Sequence, residues 1–295
     1  MGMVHTVGLV LHPRRDSKPA IDAVIDWARN RDTTVLGLPD EVGRIDCTAV
    51  AVDADELVGR SALVVSLGGD GTMLRSMRLL AGKPTPVLGV NLGRLGFLAE
   101  ISVEELPNAL TAIDAHRFTV EPRMAIRTVL PDGTDVTAFN DIALVRTPGH
   151  GLAAVGISMQ GYPFVRYAAD ALIVATSTGS TAYSFSAGGP IVSPTVEGIL
   201  VVPAAAHSAF NRALVLSANE DLDLELLPSS GPLAVEVDGE VLGELVPGDT
   251  LTVSAVPAAA KVVRLGYTTF YERARRKLRG WRLKSKIGAR TDPEP

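Results

Sequence analysis

The sequence contains little cysteine, few aromatic residues and no long apolar segment. Of its 295 residues only Cys47 is a cysteine, which excludes an internal disulfide and any metal site built from several cysteines. Aromatic residues make up 5% of the chain and hydrophobic residues 46%, so the core is expected to consist mainly of Val, Ala and Leu. No apolar run reaches about 18 residues and no signal peptide is recognisable, which predicts a soluble, cytoplasmic protein without a membrane partner.

The two commonest nucleotide-binding signatures are also missing. Neither the Walker A pattern GxxxxGK[ST] nor the GxGxxG pattern occurs, so any nucleotide must bind through a different device. The histidines are scattered without the spacing of metal ligands, and no protein-built metal site is predicted.

Charge is unevenly distributed along the chain. The formal net charge is −5, yet the segment 272–290 carries nine Lys and Arg against one Glu. Such a segment could contact nucleic acid or an acidic surface. A solvated helix is the commoner explanation, and no nucleic-acid partner is predicted.

The stretch 66–75 organises the rest of the chain. An apolar run, 62–67, leads into Gly-Gly-Asp-Gly-Thr at 68–72, and a helical pattern follows at 73–81. Glycines let the backbone approach a ligand closely, and the N–H groups at a helix start favour phosphate. Asp70 is unusual there, because a carboxylate repels phosphate unless a cation or a proton transfer is involved. The turn is therefore either a phosphate site with a built-in base or a tight turn in which Asp70 caps the helix.

Arg75 adds a weaker signal. In the first turn of the predicted helix a cation opposes the helix dipole. A nearby anion would remove that conflict, whereas an exposed arginine would tolerate it at a small cost.

Two kinds of patterning divide the chain. Apolar runs at 4–11, 33–38, 62–67 and 87–90 alternate with helical spacing at 18–30 and 73–81, which predicts a parallel α/β sheet. Ligands gather at the carboxyl ends of such strands, where the loops 68–72 and 91–97 would both lie. From about residue 121 the chain consists of short β-type runs with Gly and Pro turns, which predicts a sandwich or barrel-like domain.

A second dense stretch is 167–190. A buried strand, 171–175, runs into a series of hydroxyl side chains around Gly179, and such hydroxyls can donate to phosphate or ribose oxygens. Tyr183 offers a flat face for stacking on a base. A helix start capped by Ser or Thr explains the stretch as well. Asn140 and Asp141 could read an adenine edge, or they could form an ordinary turn.

The order of these segments resembles that of the bacterial NAD kinase family over about residues 60–285. The resemblance rests on the segments 68–72, 91–98, 139–141, 178–183, 187–190 and 202–212. The Gly-Gly-Asp-Gly-Thr turn alone also resembles lipid kinases of the diacylglycerol kinase type and 6-phosphofructokinases. Joined to Thr-Gly-Ser-Thr-Ala-Tyr at 178–183, it becomes much more specific.

The resemblance implies a fold, a reaction and partners. The fold would be a Rossmann-like α/β domain (1–120) and a β-sandwich domain that binds NAD (121–267), with the helix 268–290 returning to the first domain. The enzyme would transfer the γ-phosphate of ATP to the 2′-hydroxyl of the adenosine ribose of NAD, using Mg²⁺ or another divalent cation. It would be a homodimer or homotetramer.

The resemblance also assigns roles to residues. Asp70 would be the proton acceptor, although it could act partly through the metal. The phosphate-binding residues would be Gly68, Gly69 and Thr72. The substrate-binding residues would be Gly71, Arg75, Asn140, Asp141, Asp170, Thr181, Ala182, Tyr183 and Ser186.

Four positions depart from the family pattern and could alter affinity, donor preference or activity. They are Asp141, Ala171, Ser177 and Glu240, where the family usually has Glu, Gly, Pro and Gln. Two other functions stay open at this point. One is a lipid kinase built on the same turn, and the other is a regulator that binds NAD(P) with little or no turnover.

Overall fold

The computed structural model describes residues 4–45, 47–93 and 96–285, with side chains as far as 277. The helices are α1 (Lys18–Arg29), α2 (Pro39–Val42), α3 (Ala54–Arg60), α4 (Asp70–Leu79), α5 (Leu106–Asp114), α6 (Tyr183–Ser186) and α7 (Phe270–Ser285). A 3₁₀ turn, Gly179–Thr181, precedes α6. None of the described helices is long and apolar enough to cross a membrane.

Eighteen strands are described in the same part of the chain. In the amino-terminal half they are β1 (Thr6–Leu11), β2 (Thr34–Gly37), β3 (Val50–Ala51), β4 (Leu63–Gly68), β5 (Pro86–Asn91), β6 (Ile101–Ser102), β7 (Thr119–Val129), β8 (Asp135–Ala138) and β9 (Asp141–Arg146). In the second half they are β10 (Ala153–Met159), β11 (Tyr162–Ala169), β12 (Ala171–Thr176), β13 (Gly198–Ala204), β14 (Leu214–Ser217), β15 (Leu222–Leu226), β16 (Leu233–Val237), β17 (Glu240–Leu245) and β18 (Thr250–Arg264).

The predicted parallel sheet is present in the order β5-β4-β1-β2-β3. Its central strands β1, β4 and β5 are apolar and almost fully buried, as expected when helices cover both faces. One core beneath α1 and α5 contains Leu9, Ile21 and Leu110. A second core beneath α4 contains Val64 and Met77. This arrangement places the loops that follow β1, β4 and β5 side by side.

The second half forms a β-sandwich, as predicted. A six-stranded sheet runs β14-β13-β12-β9-β16-β17. It packs on β7, β8, β10, β15 and β18 around a core that contains Ile126, Leu172 and Leu224. The alternating burial along β16 and β15 is typical of strands with one face in such a core.

The two halves share a strand, which the sequence patterns did not predict. Short runs were predicted throughout this half, but Thr250–Arg264 form one long strand, β18, with an irregularity between Val256 and Ala260. Its first part pairs with β15 of the sandwich and its last part pairs in parallel with β5. The result is one continuous twelve-stranded sheet. The boundaries 1–120 and 121–267 therefore cut through a shared sheet and stay a prediction.

Helix α7 returns to the first half, as expected. Its Arg273 donates to the Glu100 carboxylate at 3.2 Å, and its Phe270 ring lies 6.3 Å from the ring of Phe97. Arg273 is only 3% exposed. The interpretation of the basic segment as a solvated helix is therefore wrong for this residue. Residues 286–290 of that segment lie outside the described residues.

A buried ionic network fixes the junction between α7, β7 and β18. Arg264 donates to Glu100 at 2.8 Å and to Glu121 at 2.7 Å, and Arg123 donates to Glu121 at 2.6 Å. Burial opposes ionisation of Glu121, but the two guanidinium groups outweigh it and hold the pKa of this carboxyl at about 2. The network holds the segment 98–100, directly after the loop that follows β5, against the returning helix.

Candidate active site

Three loops meet at the carboxyl edge of the parallel sheet. The N–H of His12, after β1, donates to the carbonyl of Leu67 at 2.8 Å, and the N–H of Leu92, after β5, donates to the carbonyl of Gly68 at 2.9 Å. The turn 68–72 after β4 therefore lies between the other two loops, as the strand order requires. Arg94 and Leu95 of the predicted loop 91–97 lie outside the described residues.

The turn 68–72 is shaped by close packing at its first residue. A Cβ on Gly68 would overlap the hydroxyl of the buried Thr72, so only glycine fits there. Gly69 is the N-cap with φ −125°, and α4 begins at Asp70 instead of at Met73 as the helical pattern predicted. Gly71 is exposed. Because the first N–H groups of a helix lack intrahelical acceptors, this exposed helix start favours an anion.

The Asp70 carboxylate is held by the loop after β5. The N–H of Phe97 donates to Oδ2 at 2.9 Å and the N–H of Leu98 donates to Oδ1 at 3.0 Å. A Cβ on Gly96 would overlap this carboxylate. Asp70 is the first residue of α4, and no side-chain cap bond is made at this end. The helix-cap interpretation is therefore wrong, and the side chain stays 31% exposed.

Lys277 of α7 approaches the same carboxylate. Its Nζ lies 3.9 Å from Asp70 Oδ2 and 4.2 Å from the centre of the Phe97 ring. The ring and the carboxylate both favour a cation at this point. Lys277 of the returning helix thus places a positive charge beside the turn 68–72. It is the main site residue that the sequence analysis did not identify. The basic composition of 272–290 was the available signal, but composition does not indicate which of its basic side chains contacts the site.

Arg75 has a protein anion as its partner. Because α4 begins at Asp70, Arg75 lies in the second turn, and its placement in the first turn was wrong. Its guanidinium forms an ion pair with the buried carboxylate of Glu41 and donates to the carbonyl of Leu11 at 2.6 Å. Glu41 also accepts the N–H of Leu11 at 2.6 Å. Arg75 is thereby fixed at the carboxyl end of β1, with its side chain 36% exposed.

Asp238 holds the segment 139–141 in place. Its carboxylate accepts three successive backbone N–H groups, at 3.2, 2.7 and 3.2 Å. Asp238 has φ +49°, a left-handed conformation that Asp tolerates better than most residues. The Phe139 ring belongs to the same core as Met73 and Leu98. Asn140 and Asp141 are therefore positioned against the helix and the loop that hold Asp70.

Asp141 is buried and electrostatically strained. It is 4% exposed. Burial, with a smaller contribution from the neighbouring Asp238 and Glu236 charges, raises its pKa to about 7, although the N–H of Tyr183 donates to it. Burial also raises the pKa of Asp238. An ordinary exposed turn does not explain such a pair of carboxyls, whereas perturbed acids are typical of functional sites.

The hydroxyl-rich stretch folds onto this segment. Thr176 Oγ1 donates to the carbonyl of Phe139 at 2.6 Å and accepts the N–H of Gly179 at 3.0 Å. A Cβ on Gly179 would overlap the carbonyl of Asn140. This packing brings the 3₁₀ turn and α6 alongside Asn140 and Asp141. Three of the predicted substrate residues, Thr181, Ala182 and Tyr183, follow directly.

Tyr183 and Ser186 are exposed at this surface. Burial raises the pKa of the Tyr183 phenol, and the nearby charges of Glu236, Asp141 and Asp170 raise it further. Asp170 itself precedes β12 and accepts from Arg146 Nε at 2.7 Å. It lies at the opposite end of β12 from Thr176. Tyr183 is thus within electrostatic range of carboxylates at both ends of β12, and we call Asn140, Asp141 and Tyr183 the acidic surface.

The two groups of residues meet across α4. Arg78 Nη2 lies 3.4 Å from Glu240 Oε1, and Glu240 directly follows the turn that contains Asp238. Arg78 and Asp70 are on one helix, about 12 Å apart along its axis. The departure from the family pattern at Glu240 thus coincides with an ion pair between the two halves.

Family models match both halves of the chain. The model described as "ATP-NAD kinase N-terminal domain" matches residues 8–118. The model described as "ATP-NAD kinase C-terminal domain" matches residues 139–265. Together they include the turn 68–72, the segment 139–141 and the stretch 176–186.

Similar proteins in bacteria carry the same description. The chain is 39% identical to NAD kinase 1 of Streptomyces avermitilis, with 93% of this chain and 87% of the relative covered. It is 32% identical to the NAD kinase of Desulforamulus reducens, with 94% and 98% covered.

Solved structures agree with the fold. Yeast NADH kinase, solved as a complex with NADH, superposes with a TM-score of 0.80 at 25% identity, covering 99% of this chain and 90% of that one. An NAD kinase from Archaeoglobus fulgidus in complex with ATP gives a TM-score of 0.72 at 25% identity, covering 93% and 98%. Neither alternative function finds support among these relatives. The fold, the motifs and the relatives agree, and the chain belongs to the NAD kinase family, whose members are phosphotransferases.

Proposed function

We propose that this chain transfers the γ-phosphate of ATP to the 2′-hydroxyl of the adenosine ribose of NAD, with Asp70 as the proton acceptor. The observation that carries the assignment is the setting of Asp70. Two backbone N–H groups fix its carboxylate, and the open start of α4 lies beside it. Base and phosphate site are thus adjacent residues of one rigid element.

The chemistry needs only a modest base. A secondary alcohol has a very high pKa, so its proton leaves as the bond to phosphorus forms, and a positioned carboxylate can accept it in the transition state. General base catalysis of this kind contributes about 10²–10⁴-fold. The larger share of rate enhancement in phosphoryl transfer comes from positioning and charge neutralisation. Gly68, Gly69 and Thr72 would serve that purpose by shaping the turn around the transferred phosphate.

The acidic surface would hold the adenosine part of NAD. Asn140 and Asp141, fixed through Asp238, present an amide and a carboxyl that can pair with adenine and ribose groups. Tyr183 offers an exposed ring on which a base can stack. The resemblance adds further expected substrate contacts, which are Gly71, Arg75, Asp170, Thr181, Ala182 and Ser186.

A divalent cation would be held mainly by the nucleotide. Among the described residues no group of three His, Cys, Asp or Glu side chains could hold a metal ion. Asp70 is the carboxylate that fits, because Mg²⁺ usually binds one or two carboxylates together with substrate phosphates. When bound, the ion would neutralise charge on the donor phosphates. Lys277, next to Asp70, supplies a further positive charge from the protein itself.

Two expectations from the sequence stay predictions. One is a homodimer or homotetramer with the dinucleotide near a subunit contact, and the other is a cytoplasmic location. Sedimentation of the purified protein with and without NAD would test the first of them.

The function is tested by incubating the purified protein with Mg-ATP and NAD and measuring NADP with an NADP-specific dehydrogenase. ATP-dependent NADP formation is expected. Binding of NAD or NADP without turnover would instead indicate a regulator. Phosphorylation of diacylglycerol in mixed micelles, with no NADP formed, would indicate a lipid kinase.

A further inference from the structure

The loop after β1 carries a group of arginines that the proposed function leaves unused. The N–H groups of Arg14 and Arg15 donate to His12 Nδ1 at 3.1 and 3.0 Å, which folds the loop back on itself. Arg44 donates from its guanidinium to the carbonyls of Pro13 and His12. Three guanidinium groups are thereby brought to the carboxyl end of one strand. We call Arg14, Arg15 and Arg44 the arginine cluster.

The arginine cluster lies next to the turn 68–72. His12 is hydrogen-bonded to Leu67, the residue before Gly68. Arg75 of α4 donates to Leu11, the residue before His12. A Cβ on Gly93, in the loop after β5, would meet the Arg15 guanidinium, so this side chain lies against that loop. Arg15 therefore extends across the end of β4 towards the third loop of the site.

The arginine cluster carries uncompensated positive charge. Arg75 is paired with Glu41, but no carboxylate lies within 4 Å of the guanidinium groups of Arg14, Arg15 or Arg44 among the residues that the structure describes. Burial and the charges of four arginines, including Arg75, lower the pKa of His12. An exposed concentration of guanidinium groups in a chain of net charge −5 attracts anions locally.

The strand order places the arginine cluster and the acidic surface on opposite sides of the turn 68–72. Within the parallel sheet the order is β18-β5-β4-β1-β2. The acidic surface that would hold the adenosine of NAD belongs to the half beyond β18, whereas the arginine cluster lies on the other side of the turn, at β1. In an in-line transfer the acceptor and the rest of the donor lie on opposite sides of the moving phosphoryl group.

We propose that the arginine cluster binds the phosphate chain of the donor, that is, a triphosphate or longer polyphosphate whose terminal group lies at the start of α4. The inference rests on the proposed function, because it takes Asp70 and α4 as the point of transfer. Guanidinium groups suit this ligand, since they make paired, charge-assisted hydrogen bonds to phosphate oxygens. ATP and inorganic polyphosphate present the same chain, so the cluster would serve either donor.

The test compares the double variant Arg14→Gln/Arg15→Gln with a matched double variant, Arg29→Gln/Arg60→Gln. All four arginines are in the α/β half, and both pairs remove two charges. Arg29 and Arg60 end α1 and α3 at the opposite edge of the sheet, where they make exposed ion pairs with Asp26 and Glu56 that contribute little stability.

Two readouts are required from each protein. The first is KM for the donor and for NAD, with ATP and then polyphosphate as the sole donor. In the cluster variant KM for the donor should rise by about tenfold or more, while KM for NAD should stay within about twofold. The second is binding of inorganic tripolyphosphate by calorimetry without any acceptor, and its Kd should rise by a similar factor. The matched variant should behave as wild type in both.

Either of two results would overturn the proposal. One is an unchanged KM for every usable donor together with unchanged tripolyphosphate binding in the cluster variant. The other is an equal effect in the matched variant, which would indicate net charge alone. Failure of the proposed function is separate, because it would appear in the wild-type protein as absence of NADP, and the calorimetric comparison would still decide whether the cluster binds a phosphate chain.

Discussion

The ammonium of Lys277 lies 3.9 Å from the Oδ2 atom of Asp70, two residues separated by more than two hundred positions in the chain. Helix α7 makes this contact possible because the ionic network around Glu100 and Arg273 fixes its first turns. The proposed catalytic carboxylate therefore has a positive neighbour at the start of α4. The contacts that hold α7 on the first half thus also place a charge at the proposed site.

Replacing Lys277 with Met should lower kcat by about 10- to 100-fold, because one donor to developing charge in the transition state is lost. Steady-state kinetics at saturating NAD and ATP measures this effect. Arg276→Gln is the matched control, since Arg276 is exposed on the same helix. Equal rates for the Lys277 variant and the control would show that the contact has no role in turnover.

Gly96→Ala should displace the Asp70 carboxylate, because the added Cβ would overlap it. We expect kcat to fall by about tenfold or more, with thermal stability nearly unchanged. Gly59→Ala provides the comparison, since a Cβ there meets no atom within 4 Å. Full activity in Gly96→Ala would argue against the need for this carboxylate position.

Arg75→Met should destabilise the fold by about 1–3 kcal/mol, because it leaves the buried Glu41 carboxylate without its ion-pair partner. Urea unfolding at pH 7 gives the change directly. Adding Glu41→Gln should recover part of the loss, since the unpaired charge is then removed. If the changes that the two substitutions cause in the free energy of unfolding are additive, the ion pair contributes nothing to stability.

The pH dependence should reflect Asp141. Burial raises its pKa from the ordinary 3.8 to about 7, so the folded protein binds this proton more tightly than the unfolded chain does. The stability that this group contributes is therefore complete below about pH 4 and is lost as the pH rises to 7. Asp141→Asn should be more stable than wild type at pH 8, by roughly 2–4 kcal/mol.

Binding should show the opposite trend at the same residue. If ionised Asp141 accepts hydrogen bonds from NAD, kcat/KM for NAD should fall by up to about tenfold for each pH unit below 7. That dependence should flatten in Asp141→Asn, where no proton is exchanged at this position. A wild-type profile without a transition near pH 7 would contradict the assignment.

The sequence patterns predicted the elements that have strong local signals. Helix α1 and the buried strands β1, β4 and β5 were found to within two residues, because their apolar spacing is set by neighbours in the chain. Region 41–58 was not interpreted, since α2 and β3 are too short for periodicity to appear. Segment 135–146, within the region of predicted short β-type runs, divides into β8 and β9 at Phe139 and Asn140, where Asp238 from a distant hairpin binds the backbone.

Sequence motifs were enough to predict many residues of the candidate site, but their contacts are visible only in the folded structure. The turn 68–72 and the stretch 176–186 were identifiable because their composition is unusual. The partners Lys277 and Glu41 were not, because each contacts its target through long-range packing that leaves no mark in the local sequence. The arginines of the loop after β1 look like any exposed charged turn until the sheet order sets them beside Gly68.

The central claim is that Asp70 accepts the proton from the 2′-hydroxyl. Single-turnover formation of NADP by Asp70→Asn, with enzyme in excess and both substrates saturating, tests it most directly. Asn keeps the shape of the side chain and can still accept a backbone N–H bond, but it cannot take a proton. We predict a rate at least about 10²-fold below wild type with NAD binding retained; a wild-type rate would contradict the assignment.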